Sequence, residues 1–234
     1  PRSTLFPYTT LFRSVAGGGT AGCVLARRLA ERAQVRVLLL EAGGRYPAAL
    51  SVPLAGMRRA VEYSWKYFTR QQAGLGGRRL SFPFGKVLGG SSSVNAMMFY
   101  RGTAGAYDRW EELGCGGWNF ETTRPYFERV ERVLEVSRPR HVAAFSRAFV
   151  EACVETGMAP VDDFHEVEEG AGLFRVMQRR GRRVSAATAY LREAQGRIEV
   201  VTGALVRRVV IEGGRAGGVE YEDSEGAVRR AQAG

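Results

Sequence analysis

Residues 15–41, VAGGGTAGCVLARRLAERAQVRVLLLE, decide the fold. Val15 and Ala16 read as the end of a strand, and Gly17–Gly19 as the turn that leaves it. Ala21, Val24, Leu25 and Leu29 then recur at helical spacing, which predicts a helix over 20–32. "VRVLLL" at 35–40 is a short, unbroken run of valine and leucine apart from Arg36, as expected for a strand buried on both faces of a parallel sheet. Strand, glycine turn, helix and strand make a βαβ unit. The expected fold class is therefore α/β (α+β overall), with a Rossmann-like domain built on this unit.

The glycines carry chemistry as well as shape. Gly17, Gly19 and Gly22 stand in the G-x-G-x-x-G pattern between strand and helix. Gly17 permits a tight turn, Gly19 lets backbone approach a pyrophosphate, and Gly22 lets helix and strand pack closely. Thr20, Ala21 and Gly22 open the helix, where unpaired N–H groups and the helix dipole favour phosphate. Glu41 ends the second strand nineteen residues after Gly22, the place from which an acid binds ribose hydroxyls. A glycine turn kept for packing alone is the competing explanation. Motif and spacing do not separate NAD from FAD.

A second stretch, "GKVLGGSSSVNAMMFYRGTAGAYD" at 85–108, makes that distinction. A glycine pair before three serines offers a second nest of backbone N–H groups for anions and is expected to open a helix near 91. Gly85-Lys86, Leu88–Ser92, Val94-Asn95, Phe99, Gly102 and Asp108 resemble throughout the first signature of the glucose–methanol–choline family of flavin oxidoreductases. "YSWKYFTRQQAGLGGRRLSFPF", "WEELGCGGWNFETTRPYFERVE" and "GRRVSAATAYL" are similar to its neighbouring segments. The resemblance spans residues 15–222 and is nearest the bacterial alcohol and choline dehydrogenase branch. It implies an FAD-binding domain with the beginning of a substrate domain, and a parent enzyme that oxidises a small alcohol. It assigns Gly17, Gly19, Thr20, Ala21, Gly22 and Glu41 to the ADP half of FAD. Val87, Gly90, Asn95, Ala96, Met97 and Met98 fall on the flavin half, and Val206 on adenine.

Three departures from the family pattern qualify what the resemblance implies. Val94 stands where some choline oxidases carry a histidine bonded to the flavin; valine has no nucleophilic atom, so FAD is expected to be held non-covalently. "YFERVERVLEVS" omits a segment of a surface or lid region after residue 134. The family's catalytic histidine and its partner belong beyond residue 234, so these residues are expected to bind cofactor without turning over substrate. The rival readings are a non-catalytic FAD-binding piece and a lyase of the same family in which FAD is structural.

Outside these stretches the chain is less specific. Residues 4–14, TLFPYTTLFRS, match codon by codon the translation of a common short-read sequencing adapter. Residues 1–14 are accordingly expected to be foreign, displacing the start of the first strand. The expected organisation is a cofactor part at 15–134, a substrate-domain segment at 135–196, and a return to the cofactor domain at 197–234. Helices are expected at 104–113, 123–134, 143–157 and 185–194, a strand at 173–178, and an antiparallel meander formed by the runs at 198–202, 205–213 and 216–223.

The net charge is +10, with all but two of the 34 basic residues arginine. The arginines are scattered apart from "RRGRR" at 179–183, the pattern of a solvated surface and not of a nucleic-acid groove. Cys23, Cys115 and Cys153 are widely spaced and read as free thiols. No run is apolar enough to span a bilayer, and the electron acceptor is not encoded legibly. His141 and His165, in polar surroundings, read as surface residues. Trp65, Trp110 and Trp118 read as packing, and the acidic run 166–169 as a solvated turn with no metal.

Overall fold

A computed structural model describes residues 11–32, 35–165, 167, 169–192 and 196–232. The chain divides into two compact units, one made of the residues up to Asn95 together with Ser185 onward, the other of Ala96–Val184.

In the first unit, β1 (Leu11–Ala16), α1 (Thr20–Ala30) and β2 (Val35–Glu41) form the expected βαβ element. Leu11 pairs with Val35 and Ala16 with Leu40, all in parallel register. The strand thus begins at Leu11, so residues expected to have displaced its start stand within it. The reason is physical: backbone pairing asks only for extended geometry, which a Leu-Phe-Arg-Ser run readily adopts.

Strand β2 is the centre of this unit, and its period of two divides the core. Val37 and Leu39 pack with Val15, Ala26 and Ala30 on the α1 side. Leu38 and Leu40 pack with Ala204 and Val219 on the other. Leu39 and Leu40 are fully buried, each worth roughly 1.5–3 kcal/mol by transfer from water. Helix α1 presents Cys23, Ala26 and Ala30 to the sheet, while Ala21 and Leu25 are exposed. The expected apolar stripe is therefore rotated, because a helix drawn close to a strand needs small residues at the contact.

Next come α2 (Pro53–Arg59) and the hairpin of β3 (Ser64–Phe68) and β4 (Ser81–Gly85). The expected helix near 91 is instead one 3₁₀ turn over Gly90–Ser93.

The second unit holds β5 (Met98–Phe99), α3 (Ala104–Glu112), α4 (Phe120–Leu134), β6 (Val136–Ser137) and α5 (Ala144–Glu155). It continues with β7 (Pro160–Val161), β8 (Ala171–Gly172), β9 (Arg175–Arg179) and β10 (Arg182–Arg183). Strand β9 pairs antiparallel with β5, β6 and β10. Helix α4 opens on a capping bond from the Thr122 N–H to Asn119 at 2.8 Å. It runs almost directly into β6 through Glu135, whose φ is +53°.

Back in the first unit, the expected helix at 185–194 is a π-helical turn over Ala187–Leu191, and residues 193–195 lie outside the described residues. Strand β11 (Ile198–Thr202) pairs in parallel with β2, giving the sheet order β1-β2-β11. It is no part of the meander, which β12 (Leu205–Glu212), β13 (Arg215–Glu222) and β14 (Val228–Gln232) form by themselves. Gly203, at φ +69°, ends β11 and donates its N–H to the Gly43 carbonyl at 2.9 Å.

Candidate functional site

The turn from β1 to α1 leaves the helix N-terminus open. Gly19 precedes the helix in extended conformation, no side chain caps it, and the first turn holds no acid. The amides of Thr20, Ala21 and Gly22 have no carbonyl within the helix to reach. Gly17 turns the chain at φ +94°. A Cβ on Gly22 would lie 1.8 Å from the Gly17 carbonyl oxygen, so only glycine lets the helix sit so near its strand. At Gly19 a Cβ would meet nothing nearer than the Gly90 Cα at 4.0 Å, so side-chain-free space lies in front of the turn. A pyrophosphate needs such a surface: exposed amides, a favourable dipole and no Cβ in the way.

The second glycine stretch lies against the first. The Gly89 N–H donates to the Gly18 carbonyl at 2.7 Å and the Leu88 N–H to the Gly44 carbonyl at 3.0 Å. Val87 is fully buried and bridges Gly44 through its backbone. Gly90 adopts φ +54°, and a Cβ on it would lie 2.7 Å from the Gly19 Cα. The serines brace this turn. Ser92 Oγ donates to the Gly89 carbonyl at 2.6 Å and accepts the Ala186 N–H at 2.9 Å. Ser93 Oγ donates to the Leu88 carbonyl at 2.9 Å. Four amides of the expected anion nest are also engaged, Gly89, Gly90, Val94 and Asn95 each donating to a protein carbonyl.

Glu41 is 5% exposed, at the end of β2. Its Oε2 accepts the Gly18 N–H at 2.8 Å and its Oε1 the Gly43 N–H at 2.7 Å. One carboxylate thereby ties the glycine turn to the end of β2. Burial pushes the Glu41 carboxyl up; the two amides and the nearby Lys86 ammonium pull the other way without cancelling it. Each carboxylate oxygen has a second lone pair, so accepting these amides leaves capacity for hydroxyl donors. Lys86 also lies 4.3 Å from the Trp65 ring centroid, a cation–π contact.

The remaining residues assigned by resemblance divide between the units. Val206 begins β12 and packs on the Leu38 side of the sheet. The Asn95 N–H donates to the Ser91 carbonyl at 2.9 Å. Ala96, Met97 and Met98 belong to the second unit, where Met97 takes φ +64° and Met98 is largely exposed. His141 is exposed, as expected. His165 is not: it is buried, with Phe99 and Tyr100 against its ring. Its polar neighbours in sequence hid this, because its packing partners lie more than sixty residues earlier. Of the acidic run, residues 166 and 168 lie outside the described residues. Among the described residues no group of acids, histidines and cysteines could hold a metal ion, and no helix is long and apolar enough to cross a membrane.

A parallel sheet, an open helix N-terminus behind a glycine turn, and an acid at the end of the second strand define the dinucleotide-binding α/β class. The chain belongs to the GMC oxidoreductase family, whose model matches residues 12–234. It is 41% identical to an oxygen-dependent choline dehydrogenase of Rhizobium etli, over 89% of this chain and 41% of that protein. An oxygen-dependent choline dehydrogenase of Vibrio vulnificus is 38% identical over the same shares. Among solved structures, pyridoxine 4-oxidase from Mesorbium loti superposes with a TM-score of 0.81 at 28% identity, over 96% of this chain and 48% of that one. The chain thus spans about two fifths of the length of the curated relatives it matches. In the Rhizobium alignment, 89% of the 234 residues fill 230 positions, so that relative carries residues this chain lacks within the matched region.

Proposed function

We propose that these residues form the FAD-binding part of an oxidoreductase that oxidises an alcohol to a carbonyl compound. The observation that carries this reading is the backbone contact of Gly90 with Gly19, which brings the second glycine stretch onto the phosphate-receptive turn. An NAD domain has no use for that second stretch. When bound, FAD supplies the acceptor for a hydride from the alcohol carbon.

The chain's own residues bind and orient it. Thr20, Ala21 and Gly22 offer amides to the pyrophosphate, with Gly17 and Gly19 keeping the approach clear. Glu41 accepts the ribose hydroxyls while holding Gly18 and Gly43 in place. Val206 offers backbone to adenine. Val87, Gly90 and Asn95–Met98 serve the flavin half. Val94 gives the flavin nothing to bond to, so attachment is non-covalent. The relatives named for choline and pyridoxine support a small, polar alcohol as the substrate. On this reading residues 135–196 belong to the beginning of the substrate domain.

The test is a titration of the purified chain with FAD, followed by denaturation and desalting. Saturable binding with the yellow chromophore released on denaturation is expected. Flavin that stays on the polypeptide overturns the non-covalent assignment, and absence of binding overturns the whole reading.

A further inference from the structure

His165 is the one buried histidine among the described residues, its side chain 4% exposed, in the loop after β7. Its Nδ1 lies 3.0 Å from the Arg101 backbone nitrogen. An amide N–H only donates, so Nδ1 carries no proton and the imidazole is the neutral tautomer with hydrogen on Nε2. That Nε2 faces Asp163 Oδ1 at 3.5 Å. Asp163 is fixed in turn: it accepts the His165 N–H at 3.0 Å and lies 3.4 Å from the Arg175 guanidinium.

One ring therefore touches three consecutive residues. Phe99 meets it edge-on at 5.9 Å, Tyr100 stacks on it at 5.7 Å, and Arg101 donates to it. Other contacts reach the same segment: the Tyr107 hydroxyl donates to the Arg101 carbonyl, Arg101 pairs with Glu131, and the Gln178 amide nitrogen lies 3.7 Å from Met97 Sδ. Strand β5 is two residues long and pairs with β9 alone. Just before it, Met97 takes the left-handed conformation, which a side chain adopts only where its surroundings over-determine it. The Met97 carbonyl accepts the Met177 N–H at 2.9 Å, which fixes one end. At the other, His165 accepts the Arg101 N–H, beside the Tyr107 and Glu131 contacts to the same residue.

We propose that His165 is a positioning residue: as a neutral acceptor it holds residues 97–101 in the conformation that serves the flavin. This rests on the reading above, in which Asn95–Met98 belong to the flavin half.

The experiment compares His165→Asn, which keeps an acceptor near the Nδ1 position, with His165→Leu, which leaves the Arg101 amide without one. In the FAD-loaded chain, His165→Leu is expected to raise the FAD dissociation constant about tenfold, the loss of one buried hydrogen bond. It should also alter the visible circular dichroism of the flavin, and His165→Asn should restore both. A lower melting temperature with both flavin signals unchanged overturns the proposal, because a merely structural histidine gives that result. If the leucine variant does not fold, His165→Gln takes its place, and the same contrast with asparagine decides. ¹⁵N NMR of the imidazole in the cofactor-free chain separates this proposal from the FAD reading: a proton on Nδ1 sinks the positioning role and leaves FAD binding untouched. A wild-type chain that binds no FAD overturns both.

Discussion

Gly90 and Gly19 meet backbone to backbone, close enough that a Cβ on Gly90 would stand 2.7 Å from the Gly19 Cα. The contact is asymmetric. Gly90 sits at φ +54°, whereas Gly19 is extended at φ −73° with open space before it. One glycine serves the fold and the other serves whatever approaches the turn.

Alanine at each position separates the two roles. Gly19→Ala should leave the melting temperature of the cofactor-free chain nearly unchanged and weaken FAD binding, because its methyl occupies the approach to the helix N-terminus. Gly90→Ala should weaken both, with about 1–3 kcal/mol lost from the fold through backbone strain and collision. Paired calorimetry and FAD titration check this. A Gly19→Ala chain with wild-type affinity removes the pyrophosphate from this turn.

Gly22 has no such freedom. Its added methyl would stand 1.8 Å from the Gly17 oxygen, well inside contact distance. Gly22→Ala should destabilise the chain by on the order of 3 kcal/mol or more, in the range of severe core overpacking. Urea unfolding measures it, and a loss below about 1 kcal/mol would mean that α1 can move away from β1 at little cost.

Glu41 makes a signed prediction for pH. Its folded-state carboxyl lies above the ordinary value of 4.5 because of burial. The protonated form is thus the one the fold favours. The contribution to stability is fully present below 4.5 and is lost as pH rises through the elevated folded value. Relative to Glu41→Gln, which does not titrate, the cofactor-free wild type should lose stability as pH climbs through that window. Melting curves of both chains across the acid range test the sign. FAD affinity should run the opposite way, improving as the carboxylate forms and accepts ribose hydroxyls.

Cys23 should be chemically silent. Its thiol is fully buried, donates to the Gly18 carbonyl at 3.3 Å, and is pushed up to about 12 by burial. The thiolate that reacts is absent at neutral pH. A thiol reagent at pH 8 should label exposed Cys115 and spare Cys23 until the chain unfolds. Native-state labelling of Cys23 would show that α1 opens readily from its sheet.

Local pattern carried the βαβ unit well, since "VRVLLL", Arg36 apart, sends apolar side chains to both faces of the sheet. Glycine spacing likewise located Gly17, Gly19, Gly22 and Glu41 at one end of the sheet. What local pattern lacked was partners distant in sequence. Ile198–Thr202 looks like any strand beside a hairpin, and only β2, some 160 residues earlier, makes it parallel. The buried face of α1 was misplaced because Cys23, Ala26 and Ala30 are small, and close packing selects size over hydrophobicity. His165 escaped notice because its acidic neighbours say surface, while Arg101 lies 64 residues away. The stretch around Gly90 reads as a nest of free amides, yet the Gly89, Gly90, Val94 and Asn95 N–H groups are spent on protein carbonyls and the Ser92 and Ser93 hydroxyls on the turn itself.

Residues 11–14 hold their place in β1 by main-chain pairing with Val35–Leu38, whatever their origin. The first four of that strand's six residues are therefore an interchangeable part, whose value is that they occupy a neighbour's hydrogen-bonding edge. Excise it and β2 offers an apolar, half-unpaired border to other molecules, a template for intermolecular sheet growth. A chain shortened to begin at Val15 should scatter light at concentrations where the longer one stays clear. Any extended peptide of similar β-preference, supplied separately, should suppress that turbidity.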